Sequence, residues 1–213
     1  MEMTSAQAWA HLRHNVALPS EEHRFMAICS ILDKWPDQLT RPAATDFAEH
    51  AIEAWTYDRR TSNASLETLP MISCPSSFRL ARSLDLKVSP AREMGFLRDI
   101  PLDRISYLHL RGSSDAVHRL LTTANLPSLR YLELSCRLDE GFFYDPPSLL
   151  GILEGISIPR NAHVDAIRAL FKEIELAGLK RIEIGGDTIR ELRLESWPGS
   201  IQSLCVHGAD AET

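Results

Sequence analysis

The chain has 213 residues, 44% of them hydrophobic, which is the proportion expected of a globular protein that buries a core. Its 23 basic and 29 acidic residues give a formal net charge of -6, and this balance disfavours nucleic acid as a partner because phosphate binding requires clustered positive charge. The chain has no run of 18 apolar residues and no basic start followed by an apolar run, so we expect neither a membrane span nor a signal peptide.

The cysteines and arginines suggest a compartment and a source. Cys29, Cys74, Cys136 and Cys205 are far apart and form no CxxC pair, so we expect no zinc site and no redox motif. We expect free thiols in a reducing cytoplasm, where disulfides are rare. Arginine supplies 19 of the 23 basic residues, a bias that a GC-rich bacterial genome explains better than a function does.

Residues 1–60 predict helices. Thr4 and Gln7 have the spacing of a capping box, and Pro42 suits the first turn of a later helix. Between them, apolar residues recur every three or four positions from Phe25 to Trp35. Residues 61–77, which are rich in Ser, Asn and Thr and contain two prolines, predict a connector.

A six-residue pattern with apolar residues at positions one, four and six recurs through the rest of the chain. The clearest copy is LRYLEL at 129–134. The other copies begin at Ala81, Ile105, Leu153, Leu179, Ile189 and Ile201, so that successive starts are 24, 24, 24, 26, 10 and 12 residues apart. An almost constant period over the first copies indicates a repeat architecture.

Each copy predicts a short strand. Because side chains alternate along a strand, positions four and six point to a core, while positions three, five and seven point to the other face. One strand cannot bury its apolar row alone, but stacked parallel copies bury a continuous column. The return segments predict helices, one beginning at Ser114-Asp115 with Val117 and Leu120 inward, and another capped by Asn161.

These units resemble leucine-rich repeats, LxxLxLxxN with a period of 20 to 29, over residues 78–208. The ninth position, often Asn in that family, is short and polar in four of the five longer units, but it is Arg137 after LRYLEL, which predicts an irregular turn there. The other four are Ser89, Ser113, Asn161 and Asp187. The resemblance implies an α/β solenoid with a parallel sheet, helices and loops on the convex side, and a curved protein-binding surface.

The predicted domain organisation follows from the needs of such a solenoid. Its ends expose an apolar cross-section, so we assign residues 1–60 to an N-terminal α-helical cap, 61–77 to a connector, 78–208 to the repeat array and 209–213 to a tail. The alternative role of the N-terminal helices is a separate docking module, or a second wall of the binding cleft.

Spacings of 10 and 12 residues at the C-terminus are too short for complete coils. We favour a short antiparallel meander there, with 189–195 as one of its strands. The alternative is a single 22-residue unit from 179 to 201, with 189–194 along the outer face.

A second irregular segment, 139–149, contains Pro146-Pro147 and predicts a return that is mostly loop. Its aromatic residues Phe142, Phe143 and Tyr144 either anchor this loop in the core or adjoin the binding face as exposed contacts.

We place the binding site on the exposed face of the predicted sheet. Neighbouring strands lie about 4.8 Å apart, so equivalent residues form rows: Tyr107 adjoins Tyr131, and His109 lies between two acids, Asp85 and Glu133. Tyr and Arg are over-represented among residues that dominate binding energy. The alternative is a solvated face on which the tyrosines pack across strands. The predicted protein-binding residues are Tyr107, Tyr131, His109, Arg111, Glu133, Arg181 and Glu183.

We therefore expect a non-enzymatic protein-interaction module without catalytic residues, metal or cofactor. The two acids beside His109 suit a divalent ion, but an open sheet face excludes no water, the register puts no serine or cysteine nucleophile beside His109, and no glycine-rich phosphate loop occurs. A sharper alternative is an inhibitor or immunity-type protein that occludes a cognate enzyme or toxin. A third is a homodimer that pairs through the C-terminal edge strand.

Overall fold

The computed structural model describes residues 3–56, 60–65, 76–89, 102–143, 152–173, 178–185 and 200–207. Within them the chain is α/β, with six helices and seven strands. The helices are α1 (Ser5–Ala17), α2 (Glu22–Asp33), α3 (Arg41–Ala51), α4 (Ser76–Leu80), α5 (Ser114–Thr123) and α6 (Val164–Glu173). The strands are β1 (Thr61–Ser65), β2 (Ser83–Val88), β3 (Tyr107–Gly112), β4 (Tyr131–Ser135), β5 (Gly155–Ser157), β6 (Arg181–Gly185) and β7 (Ser203–His207).

The seven strands form one sheet in sequence order, and every neighbouring pair is parallel. The register is the one that the repeat predicts, since Leu84 pairs with Leu108 and Leu108 with Leu132. Just before each strand, the backbone continues the pairing: Ser106 N–H donates to the Arg82 carbonyl at 2.8 Å, and Arg130 N–H donates to the Ser106 carbonyl at 2.8 Å. The predicted stacking of the repeat strands is therefore confirmed.

The apolar positions of the repeat form a buried column. At position four, Leu84, Leu108 and Leu132 are each 1% exposed. Position six adds Leu86 and Leu110, which are also buried. By the usual area relation, a buried leucine side chain stabilises the fold by about 1.5–3 kcal/mol.

The predicted return helices pack against this column. Helix α5 begins where expected, because the Ser113 hydroxyl accepts a hydrogen bond from the Ala116 N–H. Its inward residues Val117 and Leu120 are fully buried and belong to the same core cluster as the leucine column. The helices thus lie on the side of the sheet opposite the row of Tyr107 and Tyr131.

The predicted N-terminal helices are present as α1, α2 and α3. Thr4 and Gln7 form the capping box, and Pro42 lies in the first turn of α3. Phe25 and Leu32 of α2 are fully buried in the cluster that includes the leucine column, so the helices and the sheet share one core. None of the helices described has both the length and the apolar character needed to cross a membrane.

The predicted connector contains a strand that the sequence analysis missed. Strand β1 pairs with β2, with Thr61 opposite Ser83 and Ser62 opposite Leu84. Its sequence, TSNAS, has no apolar alternation, so the repeat pattern gives no signal for this strand. A polar edge strand satisfies the backbone of β2 without a leucine of its own.

The start of β1 is held by a buried arginine. Arg60 is 1% exposed, and its guanidinium donates to the carbonyls of Leu80, at the end of α4, and Ile52, at the end of α3. Helix C-termini carry partial negative charge, which stabilises the cation there. Burial, with the nearby Arg82, lowers the pKa of Arg60 to about 10, so the side chain stays charged at neutral pH.

The favoured antiparallel arrangement at the C-terminus is wrong for the final strand. Strand β7 pairs parallel with β6, and Arg181 lies opposite Ser203, which gives the 22-residue unit of the alternative prediction. Residues 189–195, the proposed antiparallel strand, lie outside the described residues, as does Asp187.

The aromatic residues after β4 belong to the core. Phe142 is 4% exposed and Phe143 is fully buried, and their rings meet edge to face with centroids 4.8 Å apart. Of the two roles predicted for these aromatic residues, anchoring in the core is confirmed for Phe142 and Phe143, and exposure as binding contacts is wrong for both. Tyr144 and Pro146-Pro147 lie outside the described residues.

Candidate functional site

A depression lies on the face of the sheet opposite α5. Its volume is about 460 Å³, and it extends from β1 to β6. We call it the central depression. Its lining among the described residues is Glu22, Thr61, Ser83, Asp85, Tyr107, His109, Tyr131, Leu132, Glu133, Gly155, Ile156, Ser157, Arg181 and Glu183. Six of the seven predicted binding residues line it, and the seventh, Arg111, borders it through an ion pair with Asp85.

His109 lies at the centre of the polar contacts in the central depression. Its Nδ1 is 3.4 Å from Asp85 Oδ2, and its Nε2 is 3.8 Å from Glu133 Oε1. The acid–base–acid row predicted from the register is therefore present, because these residues stand directly opposite one another on β2, β3 and β4. Asp85 also accepts a hydrogen bond from Arg111 Nε at 2.8 Å.

The sequence analysis missed one neighbour of His109. Ser135 Oγ lies 2.8 Å from His109 Nε2, although Ser135 stands opposite Arg111 in the register. The statement that no serine lies beside His109 is therefore wrong. It considered only residues directly opposite, whereas a long side chain on a sheet reaches its diagonal neighbour as well.

The two tyrosines have different surroundings. The Tyr107 hydroxyl donates a hydrogen bond to the Glu133 carboxylate, which ties β3 to β4 across the central depression. The Tyr131 ring lies over Gly155, where a Cβ atom would be only 2.6 Å from its Cδ1. Gly155 thus leaves the space in which the Tyr131 ring lies along the sheet.

The far end of the central depression is formed by β6. Arg181 Nη2 and Glu183 Oε1, two residues apart on the same face, form an ion pair. Side-chain exposure is 54% for Arg181 and 20% for Glu183, so the guanidinium is the more accessible partner. An ion pair this exposed contributes little to stability, about 0–1 kcal/mol.

Helix α2 contributes a residue that the sequence analysis did not single out. Glu22, the first residue of α2, also lines the central depression. A second wall of the cleft is the alternative role of the N-terminal helices given above, and Glu22 is the residue of α2 that meets the central depression. The repeat pattern gives no signal for Glu22, since it lies outside the repeats.

The central depression combines aromatic, carboxylate, guanidinium and imidazole groups. Among the described residues, no group of three His, Cys, Asp or Glu side chains has the arrangement of a metal site. Ser135 is exposed to solvent at the end of β4, which leaves water free to reach its hydroxyl. Of the cysteines, Cys205 lies on the same face at β7, whereas Cys29 and Cys136 are buried, and these three are free thiols. Cys74 lies outside the described residues.

No protein-family model, no curated protein and no solved structure matches the chain.

Proposed function

We propose that the chain is a non-enzymatic protein-interaction module that binds a protein partner in the central depression. The observation that supports this most is the concentration of two tyrosines and alternating charges in one concave area of the sheet, with six of the predicted residues in it. Tyrosine and arginine dominate binding energies in protein interfaces because they combine apolar area with hydrogen bonding.

We also propose that the repeats form a solenoid of the leucine-rich-repeat type. The sequential order of parallel strands, their 24-residue offset and the helices on one side of the sheet support it. In such a coil, the face with the central depression is the inner surface, and a partner contacts several repeats at once. A cytoplasmic location fits the free thiols Cys29 and Cys136.

Partner capture tests the proposed face. The double variant Tyr107→Ala/Tyr131→Ala should retain the fold, because both side chains are only half-buried, and should lose at least ten-fold in capture of the partner identified by affinity purification and mass spectrometry. The matched control is Leu39→Ala/Ile152→Ala, which removes two exposed side chains outside the central depression and should leave capture unchanged. Equal capture by all three proteins would reject the face.

A second candidate function is an inhibitor or immunity-type protein that occludes a basic enzyme or toxin. Its support is the charge of the central depression, where four carboxylates and one guanidinium are among the lining residues. Occlusion should then be salt-sensitive, because complementary charges accelerate association mainly at low ionic strength. An inhibition assay against the captured partner, at low and at physiological salt, distinguishes this candidate from an adaptor.

A third candidate is self-association through β7. Leu204 and Val206 are 41% and 39% exposed, although they align with the buried Ile182 and Ile184 of β6. An uncovered edge strand with apolar side chains can pair with another copy. Light scattering at high micromolar concentration tests this, and a strict monomer would rule it out.

A further inference from the structure

The charge of the central depression points to the chemistry of its occupant. Glu22, Asp85, Glu133 and Glu183 line it together with the single guanidinium of Arg181, which gives these groups a formal charge of -3 with His109 neutral. A partner surface of opposite sign is attracted to such a depression, while an acidic one is repelled. The occupant is therefore expected to be basic.

Three of these carboxylates have a regular spacing. Asp85, Glu133 and Glu183, which we call the carboxylate row, occupy equivalent positions on β2, β4 and β6, the alternate strands of the sheet. Two strand spacings are about 9.6 Å, so the carboxylate row repeats at roughly that distance across the strands. The intervening strands place His109 and Ser157 in the same line.

This spacing distinguishes among chain conformations. A polyproline II segment rises about 3.1 Å per residue with three residues per turn, so that every third side chain returns to the same face after about 9.3 Å. A β-strand repeats on one face after about 6.6 Å, which does not match the carboxylate row. An α-helix returns a side chain to the same face after seven residues, a rise of about 10.5 Å, which matches the carboxylate row less closely than polyproline II does.

Aromatic side chains beside the carboxylate row also favour a polyproline II segment. Tyr107 and Tyr131 lie beside the carboxylate row and offer aromatic surface of the kind on which polyproline II segments dock.

We propose that the occupant is a basic polyproline II segment that crosses the strands, with a lysine or arginine at every third position against Asp85, Glu133 and Glu183. This inference rests on the proposed function, because it identifies the partner chemistry of the same depression. The carboxylates already contact Arg111, Tyr107 and Arg181, but each carboxylate accepts up to four hydrogen bonds and can receive a further donor.

Two peptides of identical composition test the spacing. The first is Lys-Pro-Pro-Lys-Pro-Pro-Lys and the second is Lys-Lys-Lys-Pro-Pro-Pro-Pro, each with an N-terminal fluorophore, titrated with the full chain and followed by fluorescence anisotropy. The spaced peptide should bind at least ten-fold more tightly than the clustered one. Equal affinities would show that the peptides bind only through non-specific charge attraction, and would overturn the proposed spacing of basic residues.

Three variants test which charged side chains determine binding of the spaced peptide. Glu133→Gln should weaken the spaced peptide at least five-fold, because it removes the central charge of the carboxylate row. Arg181→Gln should instead tighten it, because the change removes the cation that competes for Glu183. The control Asp46→Asn/Glu53→Gln/Asp139→Asn removes three exposed, ion-paired carboxylates outside the lining residues and should have no effect. Weaker binding by Arg181→Gln would contradict the proposal.

The two proposals fail in different ways. If neither peptide binds while the tyrosine double variant still loses its captured partner, the basic occupant is wrong and the binding face stands. If the tyrosine double variant captures its partner as well as the parent does, the proposed function fails whatever the peptides do.

Discussion

Leu132 and Leu204 occupy the same position of the repeat, yet their surroundings differ. Leu132 in β4 is 1% exposed and has strands on both sides, whereas Leu204 in β7 is 41% exposed at the edge of the sheet. The difference shows that the apolar pattern alone does not bury a residue in this fold. Burial comes from the neighbouring repeats, so the middle of the array is stabilised more strongly than its end.

The largest expected effect comes from a charge at these two leucines. Leu132→Asp places an unpaired carboxylate in the buried column and should unfold the chain, at a cost of about 4 kcal/mol or more. Leu204→Asp leaves its carboxylate in contact with water and should cost less than about 1 kcal/mol. Urea denaturation followed by circular dichroism measures both. Similar losses of stability at the two positions would contradict the inferred difference between the middle and the edge of the sheet.

Gly112 and Gly155, both in the middle of the array, should differ in how much an added side chain lowers stability. Gly112 has a φ of +151°, and a Cβ there would be 2.2 Å from the Val88 carbonyl oxygen, so Gly112→Ala should cost about 3 kcal/mol. Gly155 has no such backbone strain, and its Cβ would meet the movable ring of Tyr131. Gly155→Ala should therefore change stability by less than about 1 kcal/mol.

Although Gly155→Ala should change stability little, it should have a measurable effect through the ring of Tyr131. Gly155→Ala should alter the near-ultraviolet circular dichroism and weaken partner capture, because the Tyr131 ring must leave its place over residue 155. Gly112→Ala serves as the opposite control, with a large loss of stability. A Gly155→Ala protein with unchanged spectrum and capture would show that the position of this ring is unimportant.

The reactivity of the cysteine thiols provides a further, smaller comparison between the core and the edge of the sheet. Burial raises the pKa of Cys136 to about 11 and also raises that of Cys29, whereas Cys205 is half-buried on β7. The thiolate is the reactive form, so at pH 8 about 0.1% of a thiol with a pKa of 11 can react. In a Cys74→Ser background at pH 8, a maleimide should modify Cys205 within minutes and the two buried cysteines far more slowly. Because the raised pKa keeps the thiol protonated, labelling of Cys136 should increase with pH up to about 11.

The smallest expected effect concerns Ser135, whose hydroxyl contacts His109. If the face is non-catalytic, a fluorophosphonate probe should leave Ser135 unmodified, because rapid phosphonylation of a serine needs donors that stabilise the developing oxyanion as well as a base such as His109. Intact-mass spectrometry of the parent and of Ser135→Ala measures this directly. Modification of the parent that disappears in the variant would show a reactive serine and would favour an enzyme.

The sequence predicts the middle of the fold well because its period is regular. The 24-residue offset alone places Leu84, Leu108 and Leu132 in register, and the same offset brings Tyr107 to Tyr131 and His109 to Glu133. Most of the central depression follows from this register, since its side chains are one strand spacing apart and need no long-range information.

The missed features depend on contacts that no repeat encodes. Strand β1 has a polar sequence and forms because β2 offers a free edge, while Arg60 is positioned by the ends of two helices that only the tertiary fold brings together. Glu22 enters the central depression from α2 for the same reason. The antiparallel arrangement was favoured over the parallel pairing of β7 because the short spacings of 10 and 12 suggested hairpins, whereas β6 and β7 are themselves 22 residues apart.

The most direct test is a cross-linking measurement of the strand register on which the proposed binding face depends. In a background of Cys74→Ser and Cys205→Ser, the pair Tyr107→Cys/Tyr131→Cys places two thiols on directly opposed residues, about 4.8 Å apart between Cα atoms and within the range of a disulfide. The pair Tyr107→Cys/Ser135→Cys lies on the same strands and face, but about 13 Å further along, beyond that range. Mild oxidation followed by mass spectrometry should show a disulfide in the first pair and none in the second. Disulfide formation in the second pair, or in neither, would contradict the register and the binding face built on it.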